Sequence, residues 1–145
     1  MFVDLDRFKP VNDTFGHAVG DVLLREAAGR MRACIRGSDT VGRIGGDEFV
    51  VLLPAVETPK APLVVAEKLR RALARPFEID GRRIGISCSI GIAIAPDDGC
   101  DPIELAKNAD MAMYLAKQQG GDAVRFVGSQ AEAPRVTEKA LPRET

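Results

Sequence analysis

The sequence predicts an α/β fold, one mixed β-sheet with helices packed on it. Three observations carry this. Short apolar runs with the look of strands alternate with stretches of helical period. Glycine-rich or Asp-Gly dipeptides between strand runs mark two hairpins, so part of the sheet is antiparallel. The chain has 145 residues, 46% apolar and 28% charged, which suits one soluble domain with a sizeable core.

The first strand covers Phe2 to Asp6 and runs directly into acids. A loop rich in turn formers follows, from Lys9 through Pro10, Asn12, Asp13 and Gly16. The first helix is expected from about Gly16 to Ile35, with Leu24, Ala27, Ala28, Met31 and Ile35 at helical spacing and Gly37 as its stop. Thr40 to Ile44 and Phe49 to Leu53 are strands joined by a two-residue Gly45-Gly46 turn. The second of them is an unbroken apolar run, expected to be buried.

A second helix covers roughly Pro59 to Ala74, with Val65, Leu69, Ala72 and Leu73 on one face. Phe77 to Ile79 and Arg83 to Ala95 flank the turn signal Asp80-Gly81. The third helix starts near Asp101, where Asp101 and Glu104 form a capping pattern and Pro102 suits the first helical position. It runs to about Gln118 and stops at Gly120-Gly121, before a short strand, Ala123 to Val127. Residues 128–145 are polar, lack a period and read as a disordered tail or linker.

Charge and cysteine content narrow the function. With 20 basic and 21 acidic residues the net charge is -1, which argues against a nucleic-acid footprint or a polybasic membrane patch. Cys34, Cys88 and Cys100 form no CxxC pair, so neither a disulfide framework nor a zinc site is expected. The apolar runs are too short to cross a bilayer and no leader is visible, which makes the cytoplasm the expected location.

Two clusters carry candidate chemistry. Asp4 and Asp6 alternate with Leu5, so both carboxylates leave one face of the strand. A hard divalent cation would explain them; so would capping of the loop or pairing with Arg7 and Lys9. The second cluster, Gly45-Gly46-Asp47-Glu48-Phe49, sets two acids at a hairpin tip, where an isolated acidic pair is more often a solvated turn.

Their joint pattern is more specific. Asp4 to Asp21 reads D-x-D-x-F-K-x-x-N-D-x-x-G-H-x-x-G-D, Arg36 to Asp39 reads R-x-x-D, and Arg43 to Phe49 reads R-x-G-G-D-E-F. Later, Ser89 to Ala93 reads S-I-G-I-A and Ala109 to Lys117 reads A-D-x-A-M-Y-x-A-K. In this order and spacing the motifs closely resemble the GGDEF family of diguanylate cyclases, over residues 1–127. The resemblance implies a fold similar to the nucleotidyl cyclases and polymerase palms. It also implies a reaction in which two GTP-bearing subunits meet, each 3′-hydroxyl attacks the other α-phosphate, and cyclic di-GMP and pyrophosphate form with Mg²⁺ or Mn²⁺.

Residue by residue, the resemblance implies Asp4, Asp47 and the Leu5 carbonyl as metal ligands. Glu48 would serve the second metal or the attacking hydroxyl. Lys9 would face the phosphates, with the Arg7 and Phe8 N–H groups lining their loop, Gly46 allowing close approach and Lys117 adding a cation. Asn12 and Asp21 would read guanine; Asp21 would also suit a helix first turn. Arg36 and Asp39 match the inhibitory cyclic di-GMP site, against the plainer reading of a surface ion pair at a helix end. His17 reads as structural, Cys34 and Cys88 as core, and Met111, Met113 and Tyr114 as packing.

Three departures stand out. The family's D-x-L-T-G-L-x-N-R segment and helix do not precede the first strand here, so one sheet face is expected to lack cover. Gly121 and Asp122 stand where many members carry Arg and Asn. No sensory or dimerising segment is visible. The expected function is a diguanylate cyclase domain acting as a homodimer, or, as the alternative, a weakly active module that binds cyclic di-GMP or GTP as a sensor. A phosphodiesterase role is not expected, because the family's E-x-L partner domain is absent.

Overall fold

A computed structural model describes residues 1–127; the expected tail at 128–145 lies outside the described residues. Five strands form the main sheet in the order β2-β3-β1-β6-β7. They are β1 (Phe2–Asp6), β2 (Thr40–Gly45), β3 (Glu48–Leu52), β6 (Ser87–Ile92) and β7 (Ala123–Phe126). A separate hairpin pairs β4 (Phe77–Ile79) with β5 (Arg82–Ile84). Helices α1 (Phe8–Phe15), α2 (His17–Cys34), α3 (Ala61–Ala74) and α4 (Pro102–Gln118) complete the chain. Pairing is antiparallel except between β6 and β7, which run parallel because α4 carries the chain back across the sheet.

Side-chain alternation divides the sheet into two unlike faces. Val3, Leu5, Phe49, Val51, Cys88, Ile90 and Ile92 fill the core beneath α2 and α3 together with Leu23, Met31, Leu69 and Leu73. The other face of β1 and β6 carries Asp4, Asp6, Ser87 and Ser89, and α4 lies over it. That helix turns a row of small residues to the sheet, Ala109, Ala112 and Ala116, with Met113. A Cβ at Gly91 would fall on the Ala109 carbonyl and the Met113 nitrogen.

Several expectations need correction. The loop after β1 is a helix, α1, which precedes the expected helix, found as α2. Pro10 is tolerated because it is the third helical residue, where no intrahelical N–H bond is lost. Gly16, at φ 91, makes the break, and its N–H closes α1 on the Asn12 carbonyl at 2.9 Å. Helix α2 ends at Cys34, with extended Ile35 as cap, and not at Gly37.

The turn between β2 and β3 is Gly46-Asp47, one residue later than expected, because a register irregularity between Arg43 and Gly45 takes up a residue. Gly46 supplies the positive φ of 52°. β3 is not buried throughout: Phe49 and Val51 face the core, while Leu52 is 56% exposed and Val50 half-buried. α4 does not extend over this part of the sheet, and Ile44 is exposed there as well. The strand expected at Arg83 to Ala95 is two, β5 and β6, which belong to different sheets. Asp80 and Gly81, at φ 52 and 73, make the tight turn expected of them. At α4 the cap forms as read, Asp101 Oδ1 accepting from the Glu104 N–H at 2.8 Å.

Candidate functional site

Asp4 and Asp6 sit at the C-terminal end of β1 under α4, and each is only 8% exposed. Their partner is Lys117 of α4, not Arg7 or Lys9. Its Nζ stands 3.1 Å from Asp4 Oδ1 and 3.7 Å from Asp6 Oδ1. The two acids differ sharply in what else they touch. Asp6 accepts from Ser87 Oγ at 2.7 Å, Ser89 Oγ at 2.8 Å and the Asp122 N–H at 2.8 Å. These bonds anchor β1 to β6 and to the start of β7. Asp4 Oδ1 is buried and accepts no hydrogen bond of good geometry.

The β2–β3 turn completes the acidic end. Glu48 lies directly across from Asp4 in the β1–β3 pairing, and the Leu5 N–H donates to the Asp47 carbonyl at 3.1 Å. Burial raises the Asp4 pKa from 3.8 to about 6; Lys117 opposes the rise, and the charges of Asp47 and Glu48 add to it. Asp4, Asp47 and Glu48 are thus one electrostatic group, drawn together from strands about 45 residues apart in sequence. Arg43 holds the turn in shape, its Nε donating to the Gly46 carbonyl at 2.7 Å.

The desolvated Asp4 oxygen, faced by Lys117 alone and beside two further acids, fits a divalent cation. Among the described residues no three acidic, His or Cys side chains already converge as a ligand set. Backbone carbonyls and substrate oxygens would have to contribute.

Next to the acids, Arg7 takes the left-handed conformation at φ 60 and opens α1, whose first-turn N–H groups have no helical partner. Lys9 is exposed in that turn. Asn12 follows on the same helix, its Oδ1 buried without a hydrogen-bond partner. Asp21 is exposed on α2 as its fifth residue, past the first turn, so the helix dipole does not account for it.

Arg36 and Asp39 form a self-contained turn. The Arg36 N–H donates to Asp39 Oδ2 at 3.0 Å, and the Asp39 N–H to the Arg36 carbonyl at 2.9 Å. The side chains approach to 3.9 Å, with Arg36 largely exposed.

Gly121, at φ 73, abuts Asp6. A Cβ there would lie 2.8 Å from the Asp6 carboxyl carbon, so the carboxylate fills the space that a side chain would need. Met113 is buried, but Met111 and Tyr114 are more than half exposed on α4 and do not pack inward. Cys88 is fully buried and Cys34 partly so.

The sequence reading gave no separate role to Arg43 or Arg70, and it grouped Asp6 with Asp4 where the structure makes it an anchor. Arg70 is buried between Glu67 and Asp122, 2.9 Å from each, and links α3 to the loop that Asp6 holds. The local sequence, Glu67-Lys68-Leu69-Arg70-Arg71-Ala72, gave only the spacing of Glu67 to Arg70 as a signal.

A mixed sheet with helices on both faces and acids at one strand end defines a nucleotidyl-cyclase-like α/β domain. The family model described as "Diguanylate cyclase, GGDEF domain" matches residues 1–123, and the chain belongs to that family. It is 49% identical over 133 residues, 92% of its length, to the bifunctional diguanylate cyclase/cyclic di-GMP phosphodiesterase MucR of Pseudomonas aeruginosa, of which it spans 19%. Its fold is similar to the crystal structure of the GGDEF domain of PA1120 (YfiN or TpbB) from the same species. The TM-score is 0.86 at 41% identity, covering 89% of this chain and 81% of that one.

A crystal structure of the coiled coil and GGDEF domain of DgcB from Caulobacter crescentus in complex with c-di-GMP is similar too. Its TM-score is 0.77 at 25% identity, covering 87% of this chain and 67% of that one. The chain spans a fifth to a third of the length of curated relatives such as MucR and TpbB. Some relatives are named as phosphodiesterases.

Proposed function

We propose that residues 1–127 are a diguanylate cyclase domain, joining two GTP into cyclic di-GMP across a homodimer in the cytoplasm. The observation that carries this is the grouping of Asp4, Asp47 and Glu48 at one strand end, with an under-satisfied carboxylate, beside the open first turn of α1. Asp4, Asp47 and the Leu5 carbonyl would hold Mg²⁺ or Mn²⁺, with Glu48 on the second ion or the attacking hydroxyl. When bound, such ions offset phosphate charge and favour the ionised hydroxyl.

The remaining residues bind and orient. The N–H groups of Arg7 and Phe8 take phosphate oxygens at the helix start. Lys9 and Lys117 supply cations toward the triphosphate, Lys117 from its place against Asp4. Gly46 keeps the turn open to the nucleotide. Asn12 and Asp21 read guanine, because a carboxylate accepts from N1–H and the exocyclic amine that adenine lacks at that edge. Chemistry then forms the 3′-O–P bond, expels pyrophosphate and releases the hydroxyl proton, once on each side. Arg36 and Asp39 bind the product as an inhibitor, Arg36 through phosphate and the guanine O6/N7 edge.

A second reading is favoured by Gly121. With no side chain there and Asp6 filling the place, the triphosphate gains no cation from this loop, and the chain would bind cyclic di-GMP or GTP as a sensor. The deciding experiment measures cyclic di-GMP and pyrophosphate formed from GTP with Mg²⁺ or Mn²⁺, beside calorimetry with cyclic di-GMP. The cyclase reading expects product, lost by Asp47→Ala at least about a hundredfold, since disturbing even an outer-shell metal partner costs about 10–100-fold. Product binding without turnover supports the sensor reading. Turnover that survives Asp47→Ala overturns the site.

A further inference from the structure

We infer that Gly20 is a positioning residue for base recognition: the notch left by its missing side chain seats the Asn12 amide. This rests on the assignment of Asn12 to guanine and adds a residue for which that assignment gave no reason.

Nothing in the backbone asks for glycine at position 20. It lies in the regular part of α2, its N–H donates to the Gly16 carbonyl at 3.2 Å, and its φ is not positive. Alanine is the better helix former there. The reason lies across the α1–α2 contact. A Cβ at position 20 would coincide with Asn12 Oδ1, and would lie 2.9 Å from Asn12 Cγ and 3.3 Å from Phe8 Cζ. The Asn12 oxygen thus occupies the space that a side chain at position 20 would need.

The seat also fixes which end of the amide is available. Oδ1 is buried against α2 without a conventional donor, so the free end is the Nδ2 amino group. Asp21, the next residue on α2, is exposed. The pair then offers one donor and one carboxylate acceptor, the combination that guanine, with adjoining carbonyl and N–H groups, satisfies and adenine does not. Neither end of the amide finds a strong partner in the seat, so shape holds it, and any side chain at position 20 evicts it.

The test compares Gly20→Ala, Asn12→Ala and the double variant for GTP and ATP affinity by calorimetry, in the full chain. It also compares the side-chain amide resonances of ¹⁵N-labelled protein without nucleotide. Asn12 and Asn108 are the two asparagines of the chain, and Asn108, bonded to the Asp98 carbonyl at 2.7 Å, serves as the internal reference.

Gly20→Ala should shift the Asn12 resonance and leave Asn108 in place. It should weaken GTP binding about tenfold, as loss of one hydrogen bond does, with little change for ATP. The double variant should bind GTP no worse than Asn12→Ala. Should Gly20→Ala alone unfold, a double variant that folds supports the notch, because it removes the clash. An unmoved Asn12 resonance overturns the inference. So does GTP affinity kept within about twofold in Gly20→Ala while Asn12→Ala loses tenfold; the base assignment then stands. An Asn12→Ala variant that keeps the preference for GTP overturns the base assignment itself, and this inference with it.

Discussion

Gly91→Ala isolates the contact that sets α4 on the sheet. Gly91 is in β6, with no positive φ, so alanine is compatible with its backbone. In the absence of a clash the change would stabilise the domain by about 0.4–1 kcal/mol, through lower entropy of the unfolded chain. The structure reverses the sign. The new Cβ would fall on the Ala109 carbonyl and the Met113 nitrogen, and lie 3.0 Å from Met113 Cα. These are backbone atoms, with no rotamer to give way.

Relief needs α4 to move off the sheet by roughly 1–1.5 Å to restore carbon contacts near 3.5 Å. Its Asp101 cap and the Asn108 bond to Asp98 resist that. Overpacking usually costs about 1–3 kcal/mol, and a clash with backbone belongs at the upper end. About 3 kcal/mol would lower Tm by roughly 10 °C in a domain of this size. Urea unfolding should show a reduced midpoint at unchanged slope. The displaced helix also draws Lys117 from Asp4, so nucleotide binding should fall with stability. A loss below about 1 kcal/mol, or a gain, would refute the close approach of α4 to β6.

Asp4→Asn should stabilise the metal-free domain at pH 8 and have little effect at pH 4. The folded-state pKa of Asp4 is raised to about 6 by burial. Below pH 4 the carboxyl is therefore protonated in both states, and its cost to the fold develops as pH rises from 4 to 6. The ceiling is about 3 kcal/mol, and loss of the Lys117 pair and solvent screening bring it nearer 1–2. Equal Tm differences at the two pH values would contradict it.

Arg70→Ala removes a guanidinium held between Glu67 and Asp122 and should cost about 2–4 kcal/mol in chemical denaturation, because two carboxylates are left facing each other. A cost within 0.5 kcal/mol, typical of a surface site, would show the network to be idle. Arg36→Ala should weaken cyclic di-GMP at least about tenfold by calorimetry, since a charged donor is lost; unchanged affinity would leave Arg36 and Asp39 as a turn and nothing more.

Local chemistry was legible in the sequence wherever one or two residues decide the outcome. Asp101 and Pro102 started α4, Asp80-Gly81 made its turn, and the alternation of Asp4 with Asp6 set both on one face. The motif order was enough to identify the family. Reading failed where a neighbour in space overrides the local signal. Pro10 looked like a breaker, yet at the third helical position it costs α1 no bond. The run Phe49 to Leu53 looked buried, yet only its core-facing side has cover.

Tertiary structure alone decided the partners of the charges. Lys117 meets Asp4 and Asp6 across more than a hundred residues of chain. Asp6 binds Ser87, Ser89 and the Asp122 N–H, which turned one acid of an apparent pair into an anchor and left the other under-satisfied. Gly20 and Gly91 stood in the sequence only as letters of their motifs. Their purpose is the atom each would strike, and the atoms belong to α1 and α4. Propensity and pattern act along the chain, whereas desolvation, ion pairing and steric exclusion depend on which segments the fold brings within a few ångströms.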